Sequence, residues 1–201
     1  MQHYNPPMFQ LLLFAAACAL GVYLLNCLIM RKWRKLNWEH VVLHVVAMAA
    51  MGVVGEVAVN TMYHFVVGRP LWTYTVYPIH HDYTSQYAAL LWGVYGLNLY
   101  MLHSMLTLRH KLPLYKLAVI FGFESMIFET LIDVAYKLTF GHYFFYYWPA
   151  DLWHFTTVQV LPLYALCGFV VFTVFRKFGR DPKFFIPLSA GIGWVVAFLA
   201  T

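Results

Sequence analysis

The chain has 201 residues, of which 62% are hydrophobic, 19% are aromatic and only 10% are charged. Soluble domains carry about 25% charged residues, so this composition excludes a soluble globular protein and predicts one polytopic membrane domain, 1–201. The formal charge of +5 does not indicate nucleic-acid binding, because the basic residues lie in short segments between apolar runs.

Six apolar segments approach the length of about 20 residues that a helix needs to cross the hydrocarbon core. Their predicted bounds are 8–30, 40–67, 84–107, 115–140, 155–175 and 184–201. Basic residues follow the first segment, whereas they precede the apolar part of a cleaved signal peptide, so we expect a retained helix. Long continuous apolar runs differ from the alternation of a membrane β-barrel. The sequence therefore predicts an all-α integral membrane protein with six transmembrane helices.

The distribution of lysine and arginine predicts the orientation in the membrane. Three connections contain four, three and four of these residues, eleven of the thirteen in the chain: 31–39, 108–116 and 176–183. The connections 68–83 and 141–154 contain only Arg69. By the positive-inside rule the first three face the cytoplasm, which puts both termini on the non-cytoplasmic side of an inner or plasma membrane.

The second predicted helix has a polar face that recurs later in the chain. Its positions are spaced four, four and three residues apart, which places them on one side of a helix: Gly52, Glu56, Asn60 and Tyr63. The same spacing returns 73 positions later: Ser125, Glu129, Asp133 and Tyr136. Both copies end at a glycine, Gly68 and Gly141. A carboxylate in an apolar helix is costly, so two in register predict a shared polar site.

The similarity extends through the following aromatic connections and defines an internal repeat, about 44–107 and about 117–177. The aligned positions in the connections are Trp72 with Phe145, Tyr74 with Tyr147, Pro78 with Pro149, and Thr84-Ser85 with Thr156-Thr157. Each copy has two spans, so the copies are predicted to run parallel about an axis along the membrane normal, with helices 2 and 4 meeting near it. The aromatic connections form either an interfacial belt or caps over the outer mouth.

Glu56 and Glu129 are the first candidate site residues, and both are predicted near the bilayer midplane. Two facing carboxylates in a low dielectric cannot both ionise cheaply, so they would share a proton or bind a cation. Asn60 and Asp133 would add oxygen ligands one turn outward, and Lys137 is spaced to pair with Asp133. In the alternative interpretation these groups are structural contacts between helices.

Three further groups of polar residues are weaker candidates. Glu124 falls on another face of helix 4. An outer vestibule combines imidazole and carboxylate groups: His80, His81, Asp82 and His154. These are metal-ligand types, but no recognised ligand spacing joins them, so a polar rim is the preferred interpretation and the question of a metal stays open. His44 and His103 lie at one predicted depth, where they could hold a haem, although nothing else in the sequence favours a cofactor.

Several short motifs resemble the transmembrane protein 229 family and its bacterial relatives, described as ABC-transporter type IV or CmpB-like proteins. The motifs lie between about 50 and 177: Glu56-Val57, Phe65-Val66-Val67, Trp72, Thr84-Ser85, Tyr95-Gly96, Phe128-Glu129 and Cys167-Gly168. The chain departs from the family pattern at Phe128, where a Trp is usual, at Asp133, where a small residue is usual, and near Gln159, where a Glu is missing. The resemblance implies a transport-related membrane protein, and any ABC role would need a partner ATPase because the chain has no ATP-binding signature.

The leading hypothesis is a small membrane transport or channel-type protein with an intramembrane acidic site between helices 2 and 4. One alternative is a non-catalytic accessory subunit of a larger membrane complex. A further alternative is a membrane-embedded enzyme that uses the acid pair for acid–base chemistry on a lipid or quinone. The lipid bilayer is the expected environment, with a membrane-protein partner or a second copy of the chain as the expected contact. The sequence leaves the substrate or ion, and the question of enzymatic activity, open.

Overall fold

The computed structural model describes residues 3–110, 112–178 and 181–199, and the side chains of these residues except 103–110, 178 and 194–199. The prediction of a mostly helical chain with six helices is confirmed within these ranges. The helices are α1 (Met8–Met30), α2 (Trp38–Val67), α3 (Ala88–His110), α4 (Leu114–Phe140), α5 (Val160–Phe178) and α6 (Pro182–Leu199). The strands are β1 (Trp72–Tyr74), β2 (Pro78–Ile79), β3 (Thr84–Ser85) and β4 (Phe145–Tyr147).

Three of these helices are long and apolar enough to cross a membrane, as judged by length and composition over the described residues: α1, α2 and the Val160–Lys177 part of α5. A shorter apolar stretch occupies Ala88–Leu102 of α3. This pattern is compatible with an integral membrane protein. The large apolar side chains exposed on the surface fit the same environment, since Phe65 and Leu138 are 91% and 83% exposed.

Two helices end in the same way at the matched glycines. Gly68 follows α2 with φ 78°, and its N–H donates to the carbonyl of His64. Gly141 follows α4 with φ 77°, and its N–H donates to the carbonyl of Lys137. Both hydrogen bonds measure 2.8 Å. A left-handed backbone disfavours any residue with a Cβ atom, so glycine stops each helix at this point and turns the chain into the aromatic connection.

The helices pack as two neighbouring pairs, α2 with α3 and α4 with α5, while α6 packs on α2 and α1 packs on α3. One glycine in each pair permits close approach. A Cβ atom on Gly96 would overlap the backbone of His44, and one on Gly168 would lie 2.8 Å from the Cβ atom of Phe121. Small residues at such positions let helices approach where apolar burial against lipid gives no driving force.

The two aromatic connections pair with each other through short strands. Strand β1 runs antiparallel to β4 in the register Trp72↔Tyr147 and Tyr74↔Phe145. The connections are therefore joined into one layer over the helix ends, and Tyr147 in this layer is fully buried. The N-terminal segment also contacts this layer, because the N–H of Tyr4 donates to the carbonyl of Thr75 at 2.9 Å.

Two predicted helix starts differ from the structure. Helix 3 was expected from residue 84, but Thr84 pairs with Ile79 in the β2–β3 hairpin, and α3 begins at Ala88. Helix 5 was expected from residue 155, but Thr156 forms an isolated bridge with Leu152, and α5 begins at Val160. In both cases a threonine that precedes the helix donates a hydrogen bond to a glutamate, Thr84 to Glu56 and Thr156 to Glu129.

Candidate functional site

Glu56 lies in the middle of α2 and is only 6% exposed. Three donors from the following connection and from α3 hydrogen-bond its carboxylate. The hydroxyls of Tyr74 and Thr84 donate to Oε1 and Oε2, respectively, and the indole N–H of Trp92 donates to Oε1 at 2.8 Å. These donors compensate a buried carboxylate for the loss of water.

Glu129 has a corresponding set of donors on α4. The hydroxyl of Tyr147 donates to Oε1 at 2.7 Å, and the hydroxyl of Thr156 donates to Oε2 at 3.0 Å. Tyr164 of α5 lies beside this carboxylate, at the position aligned with Trp92 beside Glu56. Each glutamate thus has one tyrosine, one threonine and one further aromatic donor around it.

Both tyrosine donors stay protonated at neutral pH. Burial raises the pKa of Tyr74 well above its ordinary value, and the neighbouring carboxylate of Glu56 raises it further. Burial likewise raises the pKa of Tyr147, and the carboxylate of Glu129 adds to the shift. A tyrosine that keeps its proton remains a hydrogen-bond donor, so each hydroxyl continues to support its carboxylate.

The two glutamates line one partly open space, which we call the central cavity. Its volume is about 40 Å³, and Tyr74, Tyr164 and Ser125 are among its other lining residues. This is room for about three water molecules or one small cation. The structure thus brings both predicted carboxylates to the same cavity.

Asn60 and Asp133 lie elsewhere than expected. Both are fully buried, but neither lines the central cavity. Asn60 accepts a hydrogen bond from the N–H of Leu71 at 2.8 Å, and Asp133 accepts one from the N–H of Phe144 at 2.7 Å. These side chains satisfy backbone groups of the returning connections, which a sequence pattern on one helix does not reveal. In the structure they hold the layer in place.

Lys137 interacts electrostatically with Asp133, its expected partner one turn earlier. The Nζ atom of Lys137 also lies 3.7 Å from the ring centre of Tyr143 and 5.2 Å from that of Phe155. The aromatic rings of the second connection hold the ammonium group by cation–π contact.

A third carboxylate, Glu124, continues the polar groups beyond the central cavity. It accepts hydrogen bonds from the hydroxyl of Tyr95 and from the side-chain amide of Asn98. Tyr95 also lies 2.7 Å from the hydroxyl of Ser125, which lines the central cavity. Asn98 in turn accepts from Asn26 of α1 at 2.8 Å. We call this connected set the polar chain.

The residues of the predicted outer vestibule have separate contacts. Asp82 lies 3.5 Å from the imidazole of His3, and His154 approaches the carbonyl of Tyr147 at 2.8 Å. His80 has a buried Nε2 without a hydrogen-bond partner, while His81 is exposed. Over the residues that the structure describes, no three His, Cys, Asp or Glu side chains are grouped to hold a metal ion.

The histidines considered for haem are placed as follows. His44 is buried on α2, where its ring stacks on Phe175 with centres 4.1 Å apart and its Nδ1 lies 2.7 Å from the carbonyl of His40. The side chain of His103 lies outside the described part of the chain. The structure therefore describes only one of the two predicted haem ligands, His44, and the haem hypothesis stays a prediction.

A larger apolar space, which we call the lateral cavity, lies next to the central cavity. Its volume is about 420 Å³, and α2, α5 and α6 contribute to its walls. Glu56, Trp92 and Tyr164 line both cavities. The partition between an acidic space and an apolar one thus consists of a carboxylate and two aromatic side chains.

Comparison of the chain with protein-family models, curated proteins and solved structures found no match. The resemblance to the transmembrane protein 229 family stays a prediction.

The aromatic donors were missed as site residues by sequence reasoning. A usable signal existed, because Tyr74 and Tyr147 align and each follows its glutamate by 18 residues. Their abundance in the connections favoured an interfacial belt instead. The sequence predicts Glu124 on another face of its helix, and the polar groups of α1 and α3 that meet it cannot be assigned from one helix alone.

Proposed function

We propose that the chain is an integral membrane protein of six spans, built from two parallel repeats of about 44–107 and 117–177. The recurrence of equivalent contacts supports this arrangement: glutamate with tyrosine, glutamate with threonine, and helix end with glycine. The contact of Tyr4 with the connection at Thr75 supports an N-terminus on the same side as the aromatic layer. Together with the basic connections, this favours both termini on the non-cytoplasmic side.

We infer that the protein is a small transport or channel-type protein that accepts a proton or a small cation at the glutamate pair. The supporting observation is that Glu56 and Glu129 share a cavity of about 40 Å³. Its described lining includes no Lys, Arg or His. Two carboxylates in a space of low dielectric repel each other unless one binds a proton or a cation lies between them.

The polar chain supplies a path from the central cavity. Ser125 and Tyr95 line the cavity, and Tyr95 connects it to Glu124. Chains of carboxylate and hydroxyl groups are the usual parts of intramembrane proton relays. A proton released from the glutamate pair would pass through the hydroxyls to Glu124, toward the side on which α3 leads into α4.

The proposal is tested with purified protein in liposomes that contain a pH-sensitive dye. A potassium diffusion potential, set with valinomycin, drives protons inward, and parallel vesicles report Na⁺ uptake. Wild-type protein is expected to carry one of these ions. Glu56→Gln and Glu129→Gln should each reduce the flux to that of protein-free liposomes, because a neutral amide neither takes up the proton nor pairs with the cation.

Glu39→Gln is the matched control, since it makes the same chemical change at an exposed position in the first turn of the same helix as Glu56. Its flux should equal that of wild type. Unchanged flux in both cavity variants would reject the site. Absence of any flux in wild type would overturn the transport proposal and favour the accessory-subunit hypothesis.

A membrane-embedded enzyme acting on a lipid or quinone is the second candidate. One observation favours it, namely that Glu56 lines the apolar lateral cavity as well as the acidic central one. A carboxylate at the end of an apolar space is suited to proton transfer with a bound lipid. Mass spectrometry of mixed-lipid vesicles should then show a new lipid species that wild type forms and Glu129→Gln does not.

A further inference from the structure

The lateral cavity has the size of a ligand site. Its volume of about 420 Å³ lies in the range of ~300–1,000 Å³ typical of small-molecule pockets. It lies between α2 and α5, because α2 packs on α3 and α6 whereas α5 packs on α4. Met51, Val59, Leu163 and Val170 are among the side chains that give it an apolar wall.

The polar end of this cavity is acidic. Glu56 lines it, and its described lining contains no Lys, Arg or His. The same holds for the central cavity, where Glu129 adds a second carboxylate. A ligand that brings a positive charge to this end would supply the counterion that the described walls lack.

Aromatic side chains beside Glu56 favour the same charge. Trp92 and Tyr164 line both cavities, and the indole of Trp92 already donates to the Glu56 carboxylate. The faces of such rings attract cations, and desolvated sites strengthen that attraction. The partition therefore combines a carboxylate with two aromatic rings of the kind that attracts cations.

The two repeats differ at a position that borders this cavity. Gly55 lines it, and a Cβ atom added to Gly55 would meet no atom within 4 Å. The aligned residue in the second repeat is Phe128, whose ring lies 4.9 Å from that of Tyr95. A large side chain thus occupies the corresponding position of the second repeat, whereas the position beside Glu56 stays open.

We propose that the lateral cavity binds a single-chain amphiphile with a primary-amine head, the hydrocarbon chain lying between α2 and α5 and the ammonium pairing with Glu56. This proposal rests on the inferred use of the glutamate pair as a cation site, and it names the class of cation. The apolar walls would bind the hydrocarbon chain of the amphiphile. The partition, which is acidic and aromatic, would bind its ammonium head group.

The test uses tryptophan fluorescence, since Trp72 and Trp92 line the cavity. Wild-type protein in phosphatidylcholine nanodiscs is titrated with ω-bromoundecylamine, whose bromine quenches nearby indoles. Saturable quenching that unbrominated undecylamine reverses is expected. The corresponding bromo-alcohol and bromo-carboxylate should bind with an affinity at least roughly tenfold lower, because they lack the charge-assisted hydrogen bond to the Glu56 carboxylate.

Two variants and a matched control locate the binding. Gly55→Phe reproduces the residue of the second repeat and should abolish saturable quenching by filling the cavity. Glu56→Gln should remove the preference for the amine over the alcohol. Gly21→Phe adds the same phenyl group to an exposed position of α1, where a Cβ atom also meets nothing within 4 Å, and should quench as wild type does.

The wild-type comparison of three head groups needs no variant, so the proposal remains testable if Gly55→Phe does not fold. Equal, non-saturable quenching by amine, alcohol and carboxylate would overturn it and indicate ordinary contact with membrane lipid. Amine binding without ion flux in liposomes would refute the transport function alone. Flux of protons or Na⁺ without amine binding would refute the amphiphile site alone.

Discussion

Tyr74 and Tyr147 each donate a hydroxyl hydrogen bond to the glutamate that precedes them by 18 residues. The strands that carry them, β1 and β4, pair with each other, so the two hydrogen bonds belong to one layer. Each glutamate is thereby hydrogen-bonded to the aromatic connection that follows it. Through the strand pair it is also linked to the other half of the molecule.

This relationship predicts similar losses of stability from Tyr74→Phe and Tyr147→Phe. Each variant removes a donor to a buried carboxylate, which should lower the free energy of unfolding by about 1.5–3 kcal/mol. Reversible unfolding in detergent, followed by circular dichroism, measures the change. Tyr115→Phe is the control, because Tyr115 is 63% exposed on α4 and should be neutral. A loss in only one of the two variants would show that the matched contacts are not energetically equivalent.

Alkaline pH should weaken the same layer. The folded protein holds the pKa of Tyr74 and Tyr147 above the ordinary value of 10.0, chiefly through burial and then through the neighbouring carboxylates. The unfolded chain releases these protons first, so this contribution to stability is complete below about pH 10 and is lost as the pH rises further. The double variant with phenylalanine at both positions should show a shallower fall of unfolding free energy above that pH. An identical slope in both proteins would contradict the assignment.

Asp133→Asn should stabilise the protein by about 1 kcal/mol. At the aligned position, Asn60 donates its amide to the carbonyl of Trp72 at 3.0 Å, whereas Oδ2 of Asp133 is buried without a hydrogen-bond partner. An amide at 133 would restore a donor toward the matching backbone of the second connection. The midpoint of thermal unfolding in detergent measures the effect. The reciprocal change, Asn60→Asp, should destabilise, and stabilisation by that change would exclude this explanation.

Glu124→Gln should slow ion flux while leaving the structure of the glutamate pair unchanged. The side chain belongs to the polar chain through Tyr95 and Asn98, and it does not line the central cavity. If protons pass through the polar chain, a neutral amide at this position removes a step that takes up and releases them. The liposome assay measures the rate, with Glu39→Gln as control. Full proton flux in Glu124→Gln would place the route elsewhere.

Much of the helical framework could be predicted from the sequence because length and apolar composition determine it locally. The starts of α1 and α4 and the glycine ends of α2 and α4 follow from such patterns. The start of α3 could not be predicted in this way, because Thr84 donates a hydrogen bond to Glu56, 28 residues away. A residue that serves a distant partner departs from the local pattern of its own segment.

The candidate site was predictable in part for the same reason. The register of Glu56 and Glu129 on two helices indicated a shared space, and both line one cavity. The positions of Asn60 and Asp133 one turn outward suggested further ligands, yet the returning connections use them for backbone groups. Helical periodicity identifies a face, but the partner of that face depends on how distant segments fold back.

The pairing of β1 with β4 also restricts how the two helix pairs can move. The strands join the halves at one end of the molecule, so relative rotation of α2–α3 against α4–α5 has its pivot there. Displacement then grows with distance from the strands, except where the short connection between α3 and α4 ties the halves together at the opposite end. An opening of the central cavity at the end opposite the strands would need only a small change in the angle between the pairs, while an opening at the strand end would require β1 and β4 to separate.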